Sequence, residues 1–193
     1  MAYHIYTGAD NLIVDATAST DISVHDGLTK GLKLGGVLVT ATAAEINRVA
    51  SVSSRIVTTT AATVTMSAAV HDSKILVVNK ANGCALTLPA ATGSGSWFRV
   101  FIGTTITSSA TTIKVANASD TMVGFGTIFQ DGGDTALHFE IGGTNDTLTF
   151  NGSTSGGIKG DMIELVDIAA NLWYVREILS GTGAEANNTS ATV

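Results

Sequence analysis

From Arg55 to Leu179, short runs of β-branched, aromatic and aliphatic residues recur at intervals of about ten, set apart by Gly, Asn, Asp and Ser. The runs predict strands over Arg55–Thr59, Thr63–Met66, Lys74–Asn79, Ala85–Leu88, Trp97–Gly103 and Thr111–Ala116. Five more are expected over Met122–Phe129, Thr135–Ile141, Thr147–Phe150, Met162–Val166 and Trp173–Ile178. Several alternate with the two-residue period of a strand buried on one side. Leu137, Phe139 and Ile141 share one face, while Ala136, His138 and Glu140 share the other. Ile75-Leu76-Val77-Val78 is apolar on both sides and is expected at the centre of a sheet, covered on both faces.

Turn chemistry fits these strands. Asp131-Gly132-Gly133-Asp134, Gly142-Gly143-Thr144-Asn145-Asp146 and Asn151-Gly152 tolerate positive φ, and Asn171 stands where a tight turn would join the last two strands. Pro89, which has no amide hydrogen to donate, ends the run at Leu88. With no helical period between the runs, the expected fold is all-β: an antiparallel β-sandwich or jelly roll over 51–180. No repeat is regular enough to indicate a propeller or a β-helix.

The first fifty residues read differently. Tyr3–Tyr6 and Leu12–Val14 could each add a strand, but Gly27, Gly31, Gly35 and Gly36 interrupt the later apolar pairs. Such a segment is expected to be an extended arm that orders against something else. Thr42-Ala43-Ala44-Glu45 has capping-box spacing, so a short helix is expected over about 43–50, with Ile46 and Val49 on its apolar side. Residues 181–193 are small and polar, and are expected to form a C-terminal tail, free unless a neighbour fixes it.

Composition narrows the class. Charged residues are only 13% of the chain, about half the usual share, which suits β-rich assembly proteins better than soluble enzymes. The net charge of −6, with the ten basic residues scattered, speaks against a nucleic-acid partner. Cys84 is the single cysteine, which excludes an intrachain disulfide; it reads as a small buried hydrophobe. The N-terminal residues lack the basic start and apolar stretch of a signal peptide. No apolar run is long enough to cross a membrane as a helix, so synthesis in a cytoplasm is expected.

Candidate chemistry is sparse. His4, His25, His71 and His138 share no metal-ligand spacing, and His71-Asp72 is expected in a turn. Asp131–Asp134 lacks the alternating oxygen ligands of a calcium loop. The glycines around Ser94 precede no Lys-Ser/Thr, as a phosphate-binding loop requires. Glu140, Asp146, Asp161 and Glu164 are the carboxylates from which a glycosidase pair would be drawn. The aromatics from Trp97 to Tyr174 fall in strands and are expected in the core, whereas Tyr3 and Tyr6 could anchor an interface. No catalytic residue, cofactor or metal is expected.

Four stretches carry a resemblance. Val39-Thr40-Ala41-Thr42-Ala43-Ala44-Glu45-Ile46-Asn47-Arg48 resembles a segment of tailed-bacteriophage structural proteins that follows an extended N-terminal region. Leu86-Thr87-Leu88-Pro89-Ala90-Ala91-Thr92-Gly93-Ser94-Gly95, Val115–Asp120 and Asn151–Asp161 are similar to the same group. The resemblance spans about Leu38 to Gly183 and implies a virion protein, with capsid decoration as its role. It brings no catalytic residues. For that role a homotrimer is expected, bound to the major capsid protein and neighbouring trimers on the outer capsid surface, with charge and hydropathy speaking against nucleic acid and membrane. A trimer gains from three linked contacts at a local threefold site. The expected contacts are Tyr3, Ile5, Tyr6, Leu12, Ile13, Val14, Leu32 and Leu34, in the arm. The alternative is a tail-fibre, tailspike-like or host-recognition module.

Overall fold

Alternation along the chain becomes two β-sheets, and all eleven expected strands form close to their expected bounds. In the computed structural model the described residues are 55–131 and 135–193, together with Lys33–Leu34, Val37–Leu38 and Ile46. Contacts divide the chain into two units, Met1–Ala50 and Ser51–Val193.

In the first unit β1 (Lys33–Leu34) pairs antiparallel with β2 (Val37–Leu38). Of the helix expected over 43–50 only Ile46 is described; it is helical and exposed.

The second unit begins with β3 (Ile56–Thr59), β4 (Thr63–Thr65), β5 (Lys74–Val78), β6 (Ala85–Thr87), β7 (Trp97–Ile102) and β8 (Thr111–Lys114). It continues with β9 (Thr121–Gln130), β10 (Ala136–Asn145), β11 (Thr147–Phe150), β12 (Met162–Ala169), β13 (Leu172–Gly181) and β14 (Thr189–Ser190). The large sheet has seven strands in the order β10-β9-β13-β12-β7-β5-β3, and the small sheet five, β14-β11-β8-β6-β4.

Both sheets are mixed, which corrects the antiparallel expectation. β3, β5 and β7 run parallel, as do β4, β6 and β8, and β13 runs parallel to β9. From β3 to β8 the chain alternates between the sheets, each strand stacking on the one two before it. The result is three stacked rungs of a short parallel coil, an arrangement that neither a jelly roll nor an antiparallel sandwich contains. Sequence hid it because the step is uneven. Ile56 lies beside Ile75 and Ile75 beside Arg99, whereas Val64 lies beside Leu86 and Leu86 beside Ile113. The corners absorb a different number of residues each time, so no period survives.

One buried cluster draws on both sheets. Leu76, Val100 and Ile163 form an inward row of the large sheet, and Leu86, Ile113 and Leu148 one of the small sheet. Phe98 and Trp173 meet with ring centres 5.6 Å apart and planes tilted by 47°. Burying each such side chain contributes about 1.5–3 kcal/mol.

Several local expectations need correction. Gly142–Asp146 is not a free turn: β10 runs on to Asn145 through an irregularity after Ile141, and the Asn145 Oδ1 accepts the Gly142 amide at 2.9 Å. His71 ends a one-turn helix, α1 (Ala68–His71), where the Ser67 amide donates to its Nδ1. The end of the chain is tied to the body: β14 pairs with β11, and Asp146 accepts the amides of Thr192 and Val193. Asn171 does make the expected tight turn, at φ 61°.

Candidate functional site

Residues opposite one another across a ladder share a face, so the registers show what each sheet presents outward. On the large sheet one outward row runs Glu140, Phe125, Arg176, Glu164, Arg99, Ile75, Ile56. The next runs His138, Thr127, Ile178, Met162, Phe101, Val77, Thr58. Trp97, Val166, Tyr174 and Val123 form a third. This face is largely apolar, and parts of it lie open: Phe125 is 63% exposed, Phe129 54%, Ile56 62% and Ile178 46%. Two exposed phenylalanines on the same face of one strand, with Thr127 between them, are not what a solvated sheet face carries.

Two expectations change here. Phe125 and Phe129 lie outside the core, since strand alternation turns them away from the inward Met122 and Ile128, and Trp97, Phe101 and Tyr174 stand half-buried on the same outer face. Ile75 and Val77 are only half-buried, because β5 is one strand from an edge and nothing among the described residues caps its outer side.

A charged cluster sits in the middle of the face. Glu164 accepts from Arg99 at 2.9 Å and from Arg176 at 2.7 Å. The Arg99 hydrogen bond holds its carboxyl below the usual range against partial burial, and Arg176 adds to the effect. Arg99 also lies over the Trp97 ring, 5.2 Å from its centre.

The small sheet is the opposite in character. Thr63, Thr65, Thr87, Thr112 and Thr149 point outward around the inward row Val64, Leu86, Ile113, Leu148. Lys114 is the one charged side chain among these outward positions. A shallow recess of about 290 Å³ beside this sheet is lined by Thr149, Asn151, Thr154, Ser155 and residues 186–190, all polar except Ala186.

The buried carboxylates hold loops together. Asp167 accepts the amides of Thr92, Gly93 and Ser94 and both of their hydroxyls, with Gly93 at 2.7 Å. Burial would raise its pKa, but the Ser94, Gly93 and Thr92 donors outweigh that and hold it at about 2. Asp161 accepts the amides of Gly157, Ile158 and Ser180, yet burial pushes its carboxyl up on balance. For Asp146 the balance falls the other way: against burial, Thr192, Thr147 and Val193 keep it low. Glu177 is the exception among these acids. It lies inward between Ile163 and Gly126 and, among the described residues, accepts from the Asn188 side-chain amide alone, at 3.1 Å. Burial, reinforced by Asp161, pushes its pKa up to about 8.

The four carboxylates considered for glycosidic chemistry therefore serve elsewhere. Asp146 and Asp161 cap backbone amides, Glu164 is held by two arginines, and Glu140 lies exposed on β10. Among the described residues no group of three or more His, Cys, Asp and Glu side chains could hold a metal ion. Cys84 is buried, with its thiol pKa raised by burial. His138 is on the outer face as expected, within 3.1 Å of the Thr127 hydroxyl. Tyr3, Ile5, Tyr6, Leu12, Ile13, Val14 and Leu32, expected to contact a partner, lie outside the described residues, as do His4, His25 and Gly132–Asp134. Leu34 is placed in β1. The outer face of the large sheet was not foreseen, although Phe125 and Phe129 stand four positions apart on one strand, with Gly126, Thr127 and Ile128 between them. Comparison with protein-family models, with curated proteins and with solved structures found no match.

Proposed function

We propose that this chain is a non-enzymatic structural protein of a tailed-bacteriophage particle, a decoration protein that binds the outer capsid surface as a homotrimer and stabilises the shell. The reading assigns residues 1–50 to an extended arm that grips the capsid or a neighbouring trimer, and the rest to a two-layered β body. The observation that carries it is the contrast between the two outer faces. One is apolar and suited to burial in subunit contacts; the other is a field of threonines suited to facing water. The conversion of buried acids into loop clamps, rather than a convergent acidic site, supports a structural role. Engagement of Arg99 by Glu164 and the Trp97 ring supports a surface that does not gather phosphates.

A second reading is a fibre or host-recognition module of the particle. The three parallel rungs favour it, since stacked coils suit an elongated appendage. Copy number separates the two. Quantitative mass spectrometry of purified particles, against the major capsid protein, should give a simple whole-shell ratio for decoration. A few to a few dozen copies per particle would reject decoration in favour of the appendage.

A further inference from the structure

The exposed phenylalanines stand in a charge pattern that identifies their partner. Phe125 on β9 lies directly between Glu140 on β10 and Arg176 on β13. Phe129, one turn of the pleat beyond Thr127, lies between Ala136 and Ser180, two small residues that leave its ring standing clear. The stripe therefore carries two aromatic rings with Thr127 between them, with one acidic residue, Glu140, on one flank and one basic residue, Arg176, on the other. Arg176 spends one nitrogen on Glu164, but its guanidinium carries five donors and its side chain is 53% exposed. Glu140 is likewise exposed.

We infer that the β9 stripe is the surface on which copies of this chain meet, about a rotation axis running alongside β9. Rotation about such an axis brings the acidic flank of one copy against the basic flank of the next. Phe125 and Phe129 converge at the axis, and Glu140 reaches Arg176 of the neighbouring copy. The arrangement closes for any small cyclic order, as homo-oligomers do. Order three follows only from the decoration reading, on which that detail rests. A stripe with like charge on both flanks could not close this way, since its flanks would repel.

The area is adequate. Four strands, β10, β9, β13 and β12, about 4.8 Å apart and up to about 33 Å long, offer on the order of 600 Å². That approaches the ~800 Å² per partner of a standard stable interface. Aromatic side chains at its centre with an arginine at its margin match the residue types that anchor such contacts.

The experiment is light scattering on the purified full chain as it leaves a sizing column, with far-ultraviolet circular dichroism to confirm folding. Wild type should run as a small multiple of 19.7 kDa. Phe125→Asp and Phe129→Asp should each drop to the monomer mass with the β-spectrum intact. Glu140→Lys should do the same, and adding Arg176→Glu to it should restore the oligomer. A monomeric wild type, or an oligomer whose mass survives both phenylalanine substitutions, overturns the inference. Sedimentation with capsids that lack the protein reads the functional proposal separately. An oligomer that dissociates as stated but leaves capsids bare upholds this interface and sinks decoration. Capsid binding by an oligomer indifferent to both substitutions sinks the interface alone.

Discussion

Asp167 shows how much of this body hangs on single side chains. Its two oxygens gather three amides and two hydroxyls from Thr92, Gly93 and Ser94, a loop whose strand pairing is the single Thr92–Ala170 bridge. Asp167→Ala should cost about 3 kcal/mol in a urea titration, because buried donors lose a charged acceptor. Its pKa of about 2 lies below the ordinary 3.8. The clamp is thus fully present above the ordinary value and is lost as pH falls from there through 2. Glu177 works in the reverse sense. With its pKa raised to about 8 from 4.5, the folded chain holds a proton that the unfolded chain has released. Stability from this residue is complete below pH 4.5 and falls as pH rises through 8. Glu177→Gln keeps the shape and removes the charge. Thermal melts should show it flattening that slope and stabilising the fold at alkaline pH by on the order of 3 kcal/mol. A variant that melts below wild type across the whole range would contradict this account of Glu177.

Among the elements, β9 is the most constrained. It pairs with β10 on one side and, in parallel, with β13 on the other, so both of its edges are occupied. Gly124 permits this. At φ 150° it lies where side chains are disfavoured, and an added Cβ would stand 1.8 Å from the Val175 carbonyl oxygen. The obstacle is backbone, so neither strand can yield without breaking the ladder. Gly124→Ala should cost at least about 3 kcal/mol and appear as loss of soluble, folded protein on expression. Soluble material with a wild-type melting temperature would contradict the close approach of the two strands. The same crowding explains why β9 presents its bulk outward: Gly124 and Gly126 face inward, with the Phe139 ring packed over Gly126.

For the whole molecule, the two outer faces and the first fifty residues divide the work of assembly in the proposed function. Deleting residues 1–37 should leave the body folded and its oligomeric mass unchanged per subunit count, while binding to bare capsids falls at least tenfold. Undiminished co-sedimentation of the truncated protein would remove the arm from the mechanism. On the proposed function, the affinity lost would be that of an arm wrapping surface a rigid body cannot reach. If the proposed function holds, shell stabilisation would follow mass action, rising with the concentration of the free chain over its dissociation constant.

The chain's own pattern determined the strands. Alternation places Leu137, Phe139 and Ile141 inward wherever β10 lies, and Asn171 takes positive φ in a tight turn at φ 61° because its side chain tolerates that conformation. These are local properties, settled by sterics within a few residues. Partnership was not local. Parallel stacking of β3, β5 and β7 depends on corners of unequal length, which leave no period to read. Residues 181–193 read as free because they are small and polar, yet Asp146, distant in sequence, and Glu177 hold part of them. The outer face was hidden for the same reason. Glu140, Phe125 and Arg176 are far apart along the chain and become a charged stripe only when β10, β9 and β13 pair. Strand identity comes from residues a few positions apart; the order and direction of strands, and every surface built across them, come from contacts that only the folded chain makes.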